Sequence, residues 1–319
     1  MDHMTQKKTI TRRALLIGGA ATVTGLGSAA WWASNRYLID HVEVADTNEA
    51  EQASGTASKT DATQTVVDVK DLTATTSDAT VSIEKVTTGS GDDTVTYYVA
   101  SISLADATAL RTGFANDQFG ENITQKISEI AENNDAVFAV NGDYYGFRDD
   151  GIQVRNGVAY RDNGAREGLA LYEDGHAELY DETTTTADAL VEAGVWTTLS
   201  FGPALVRDGA VEEGIDQVEV DTNFGNHSIQ GTQPRTAIGI IDDSHYFFVV
   251  VDGRDKGYSA GMTLPDLAET MQSLGATIAY NLDGGGSSEM WLGGEVVNEP
   301  SNGGERGNSD ALYIGGAQS

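Results

Sequence analysis

Three times in this 319-residue chain an apolar run empties into a polar turn that pairs aspartate with glycine: Asn141-Gly142-Asp143, Asp252-Gly253-Arg254 and Asp283-Gly284-Gly285-Gly286. Asp-Gly is also a common hairpin turn, so one copy alone would signify only a chain reversal. The third copy differs. Three consecutive glycines cost backbone entropy and contribute no packing, which suits a loop whose main chain approaches a ligand and offers N–H groups to an anion. Arg235 (in Pro234-Arg235-Thr236-Ala237), Arg254 and Arg306 (in Glu305-Arg306-Gly307-Asn308) stand beside similar polar stretches. With 19 basic against 49 acidic residues and a formal charge of −30, arginines beside glycine turns are local exceptions. A guanidinium fork binds phosphate or carboxylate through paired hydrogen bonds, so an anionic substrate is expected.

The same charge balance repels nucleic acid, and no nucleic-acid partner is expected. The absence of cysteine excludes disulfides, thiolate metal sites and cysteine nucleophiles. His3 and His41 precede the folded region, and His176, His227 and His245 are far apart, which argues against a three-histidine zinc site. The turn carboxylates could instead ligate calcium or magnesium through oxygen, as in a metal-dependent phosphodiesterase. No EF-hand spacing is present, so no cofactor is firmly implied. A serine hydrolase is disfavoured because Gly286-Ser287-Ser288 departs from the Gly-x-Ser-x-Gly elbow.

The elements that must position these turns are mostly strands. Val81–Val86 and Val95–Leu104 read as strands joined around Gly89-Ser90-Gly91-Asp92. Ala136–Val140 and Thr277–Leu282 are strands that run into the first and third turns, and Ala237–Ile241 with Tyr246–Val251 form a hairpin. Helices are predicted over Asn122–Asn133, with Asn122 and Gln125 capping its start, and over Leu264–Leu274, stopped by Gly275. The expected fold class is α+β: a mixed, sheet-dominated single domain with few helices, spanning 66–319.

Lys7, Lys8, Arg12 and Arg13 precede an uncharged segment, 14–35, of a length that spans a bilayer as a helix. Basic residues in front place the tail 1–13 in the cytoplasm and the domain outside. Thr11-Arg12-Arg13-Ala14 resembles a twin-arginine signal, and Ser28-Ala29-Ala30 would serve for cleavage and secretion. Residues 36–65, acidic and polar, read as a tether. The expected partners are thus the lipid bilayer through 14–35 and the substrate of the domain, at an extracytoplasmic location in a bacterium.

Five short motifs follow one another from Ala139 to Arg306. They are Ala139-Val140-Asn141-Gly142-Asp143-Tyr144-Tyr145, Pro234-Arg235-Thr236-Ala237-Ile238-Gly239, Val251-Asp252-Gly253-Arg254, Asn281-Leu282-Asp283-Gly284-Gly285-Gly286-Ser287-Ser288, and Asn298-Glu299-Pro300-Ser301 followed by Glu305-Arg306. In these, and in their order, the chain resembles the phosphodiester glycosidases, the family that includes the animal enzyme uncovering mannose-6-phosphate. One departure is Gly307, where the family often has a hydrophobic residue. The resemblance implies a hydrolase that breaks the bond between an anomeric carbon and a phosphodiester oxygen, in bacteria on a surface polysaccharide or cell-wall glycan.

A phosphate leaving group is a weak base, so arginines can stabilise its departure where other glycosides need an acid. On this basis Asp283 is expected nearest the anomeric centre, as base or nucleophile, with Asp143 or Glu305 as the second carboxylate. Asn141, Arg235, Asp252, Arg254, Gly284, Gly285, Gly286, Ser287 and Arg306 are expected to bind substrate. The rival reading is a non-catalytic glycan- or wall-binding module. It lacks support from exposed tryptophans, since only Trp196 and Trp291 lie outside the first 35 residues.

Overall fold

The computed structural model describes residues 39–57, 65–220 and 228–316. The expected spanning segment 14–35, the tail before it and His227 lie outside the described residues. Among the described residues no helix is long and apolar enough to cross a membrane.

From Val42 onward the chain is one compact unit, so 42–57, expected as part of a tether, belongs to it instead: helix Thr47–Ser54 buries Glu51 in an ion pair with Arg111. The unit is dominated by two large sheets. Nine strands make the larger, in the spatial order Ala210–Val211, Ala204–Arg207, Ile278–Asn281, Arg235–Asp242, His245–Val251, Val95–Leu104, Ala79–Thr88, Thr73–Thr75 and Val66–Asp68. Five make the second: Glu295–Val296, Met290–Leu292, Ala136–Asn141, Asp310–Gly315 and Leu110–Phe114. The pairings are antiparallel. Ile238, Phe248 and Leu282 share a core with Phe138, Val140 and Leu312, and the Phe138 and Phe248 rings lie 6.0 Å apart. Helix Leu264–Ser273 covers the far face of the nine-stranded sheet through Leu264, Leu267, Ala268 and Met271. Helix Ile127–Asn133 covers the far face of the other through Ile127 and Ile130. Strands covered on both faces read as unbroken apolar runs, which is why Tyr246–Val251 shows no alternation.

The Leu264 helix starts where Thr263 and Asp266 exchange hydrogen bonds as a capping box, and it stops at Gly275, whose φ of +94° favours glycine. The other predicted helix is shorter than expected. Asn122 sits at φ +63°, and Gln125–Lys126 pairs with Gly307–Asn308 as a short ladder, so only Ile127–Asn133 is helical. The Gln125 side chain accepts from the Asn116 N–H rather than capping the helix. Long-range pairing has overridden local propensity here. The ladder also explains Gly307, where a Cβ would meet the Thr124 hydroxyl at 2.6 Å.

Register gathers the polar turns at one end. Ala237 lies opposite Asn281 and Arg235 opposite Val251, so Arg235, the Asp252 turn and the Asp283 loop leave the large sheet together. Asn141, at the end of its strand in the smaller sheet, joins them through side-chain bonds.

Candidate active site

Asp283 opens into a cleft of about 380 Å³ lined by Tyr144, Phe201, Ile229, Gln233, Arg235, Arg254, Asn281, the three glycines and Arg306. Among the described lining residues it is the only carboxylate. Its Oδ1 accepts the Gly284 N–H at 2.9 Å, and Asn141 Nδ2 holds its backbone carbonyl at 2.8 Å. Burial raises the Asp283 pKa; the Ser287 hydroxyl, Arg306, the Gly284 N–H and Arg148 oppose that rise. Asn141 is a junction. Its Oδ1 takes the Thr236 hydroxyl at 2.8 Å and the Glu289 N–H at 3.2 Å, so one buried amide ties three strand ends to the loop.

The loop does not present a row of amides to an anion, as the sequence suggested. The Gly284 N–H goes to Asp283, Gly285 donates to the Pro234 carbonyl, and Ser287 and Ser288 donate to Gly284 and Gly285. The glycines answer to crowding and backbone shape: a Cβ on Gly284 would lie 2.9 Å from the Pro234 oxygen, one on Gly286 would strike the Asn302 amide, and Gly285 has φ +66°.

Three expected carboxylates do not line the cleft. Asp143, 4% exposed, accepts Arg155 at 3.0 Å and the Tyr145 and Ser200 N–H groups at 3.0 and 2.9 Å. Burial would raise its pKa, but Arg155, the Ser200 amide and Arg148 hold it below the usual carboxylate value. Glu305 caps the Ile127 helix, receiving the Ser128 N–H and hydroxyl, each at 2.8 Å. Asp252 binds Asn298 Nδ2, the Glu299 N–H and the Tyr258 hydroxyl, which pins the 298–299 turn. Each acid is filled by protein donors.

The arginines divide in a similar way. Arg235 reaches the cleft wall, but its guanidinium donates to the carbonyls of Met262, Ile229 and Gly231. Burial and then the Arg254 charge lower its pKa to about 10. Arg254, at φ +62°, donates to Gln233 Oε1 at the rim. The Arg306 guanidinium has no hydrogen bond or ion pair to a described residue, while its backbone N–H donates to Glu289. It is the guanidinium best placed to receive a ligand. Among the described residues no group of three or more His, Asp or Glu side chains is arranged to hold a metal ion.

Sequence reasoning passed over the aromatic wall, Tyr144 and Phe201, and two buried acids. Asp310 shares Arg155 with Asp143; burial, despite Arg155, drives its pKa well above the carboxylate range. Glu289 is buried beneath the loop, accepts the Arg306 N–H at 2.8 Å, and is pushed up by burial to about 8. A carboxyl whose folded pKa exceeds its unfolded one binds more protons when folded, so its contribution to stability falls as pH rises from about 4.5 to about 8. Glu289→Gln should therefore melt closer to wild type at pH 5 than at pH 8, where it is the more stable of the two; thermal unfolding at both pH values checks this. An equal offset at both would contradict a protonated Glu289.

Residues 134–315, more than half of the chain, match the phosphodiester glycosidase family. The chain belongs to that family. Every residue singled out above, from Asn141 to Asp310, falls inside the matched span. Phosphodiester glycosidases act on carbohydrate phosphodiesters. An uncharacterized SPbeta prophage-derived protein of Bacillus subtilis strain 168, YomE, is 31% identical over 205 residues, covering 61% of this chain and 30% of that protein. The chain thus spans about a third of the curated relative it matches. The catalytic domain of zebrafish N-acetylglucosamine-1-phosphodiester alpha-N-acetylglucosaminidase, auto-inhibited by pro-peptide, has a similar fold. It gives a TM-score of 0.60 at 19% identity, over 88% of this chain and 96% of that one.

Proposed function

We propose that this protein hydrolyses a sugar-1-phosphodiester at the bond between the anomeric carbon and the phosphate oxygen. The observation that carries this reading is the cleft itself, whose described wall holds one carboxylate, Asp283, together with the Arg306 guanidinium, which has no hydrogen-bond partner among the described residues. Ordinary glycoside hydrolysis needs two carboxyl groups, one to protonate the leaving oxygen. A phosphate leaves without that help when a cation receives its charge, so one carboxylate suffices.

In this reading Asp283 takes a proton from water as the water oxygen bonds to C1. The C1–O bond breaks with its electron pair going to the phosphate, and Arg306 receives that charge, with Arg254 at the rim. A raised pKa makes Asp283 a better base near neutrality. Ser287 and Asn141 orient it, while Asp143, Glu305, Asp252 and Arg235 hold the surrounding frame. With Asp283 acting as base toward water, single displacement with inversion is expected. Proton NMR of the first-formed anomer tests this; retention would assign Asp283 as nucleophile instead.

The zebrafish enzyme's name makes an N-acetylglucosamine-1-phosphodiester the first compound to assay. Free sugar with a phosphomonoester supports the reading; sugar-1-phosphate would mean a phosphodiesterase, and binding without product a glycan-binding module. The natural substrate in this proposal is a surface polysaccharide or cell-wall glycan, met outside the cytoplasm by a domain exported, and anchored, through 14–35. Protease treatment of intact cells tests the location: digestion of the domain supports export, and full protection contradicts it.

A further inference from the structure

Arg148 follows the Tyr145–Phe147 turn with only 4% of its surface exposed, yet no nitrogen of its guanidinium has a hydrogen-bond partner among the described residues. Its planar group lies 5.4 Å from the ring centre of Tyr144 and 5.2 Å from that of Phe201, and both rings line the cleft. Aromatic faces compensate part of the charge but offer no acceptor to the N–H groups. Nor do the nearby acids. Asp143 is filled by Arg155 and two backbone amides, and Asp150 binds Arg166 at 2.5 Å. Burial, and then the Arg166 charge, depress the Arg148 pKa. A buried cation without acceptors is costly unless something outside the protein supplies them. Its charge reaches Asp283, which places it close to the cleft's carboxylate.

We propose that Arg148 is a substrate-binding residue whose guanidinium takes an oxyanion, a phosphate or a carboxylate group, admitted at the Tyr144–Phe201 wall. The proposal rests on the cleft being the substrate site and adds a second anion position to that at Arg306. The two positions fit a substrate charged at two points or a phosphodiester held from both sides.

Crystals of the full chain soaked in inorganic phosphate, and separately in glucuronate, test this on the wild-type protein. An oxygen within hydrogen-bond distance of the Arg148 guanidinium is expected in at least one soak. Phosphate alone there identifies the phosphodiester group, and glucuronate alone an acidic sugar. Anion seated only on Arg306 or Arg254, or none at all, overturns the proposal. In solution, Arg148→Lys keeps the charge and loses the fork, and Arg148→Gln loses both. Calorimetric titration of the anion seen in the soak should show binding weakened about 10- to 100-fold in whichever variant melts like wild type. An unchanged Kd overturns it. Binding is read without turnover, so an anion on Arg148 with no sugar released would refute the proposed reaction and leave this site standing.

Discussion

Asp283→Asn is expected to lower kcat/KM toward a sugar-1-phosphodiester by about 100- to 10,000-fold, the range over which a positioned general base contributes. The amide keeps the oxygen that accepts the Gly284 N–H and leaves the carbonyl held by Asn141 untouched. It removes only the basicity. Because burial already disfavours the charged form of this side chain, the variant should melt at or above the wild-type temperature. Steady-state kinetics with a melting curve check both halves. A folded variant within about fivefold of wild type would remove Asp283 from the chemistry, since that loss falls far below the contribution of a base.

Arg155→Met is expected to have the largest effect on stability. The Arg155 guanidinium, fully buried, binds Asp143 at 3.0 Å, Asp310 at 3.3 Å and the carbonyl of Thr198. Removing it strands two carboxyl groups that water cannot reach, which costs about 3–5 kcal/mol. Urea denaturation measures this directly. The deficit should also depend on pH. Without the cation both groups retain protons more readily, so the loss is smaller at pH 5 than at pH 8. A loss under about 1 kcal/mol at pH 8 would show that the pair is dispensable, contrary to the usual cost of breaking a buried ion pair. This network also separates two kinds of aspartate that look alike in sequence: Asp143 follows a glycine at a strand end as a site residue would, but belongs to the frame.

The fold was legible where local pattern and burial agree. Ala237–Ile241 and Tyr246–Val251 are continuous apolar runs, Val95–Leu104 is rich in β-branched and aromatic residues, and the Leu264 helix carries its cap and stop beside it. The Asn122 helix misled because Gly307–Asn308, far along the chain, claims Gln125–Lys126 as a strand. Asp283 was legible because three glycines mark a crowded turn, though the reason is space beside Pro234 and Asn302 rather than display of amides. The fates of Asp143 and Glu305 were not legible, since Arg155, Ser200 and Ser128 decide them from other elements. Arg148 and Glu289 were hidden for the opposite reason. Phe147-Arg148-Asp149-Asp150 reads as a solvated turn and Ser287-Ser288-Glu289 as a polar loop end, yet both side chains are buried beside the cleft.

The position of bond cleavage tests the central claim most directly. Hydrolysis of an N-acetylglucosamine-1-phosphodiester in water enriched in ¹⁸O, followed by mass spectrometry of the products, reads it. Attack at the anomeric carbon predicts free sugar together with a phosphomonoester that carries no label. Label in the phosphate, whether on a sugar-1-phosphate or on the other phosphomonoester, would mean that water attacks phosphorus and would contradict it.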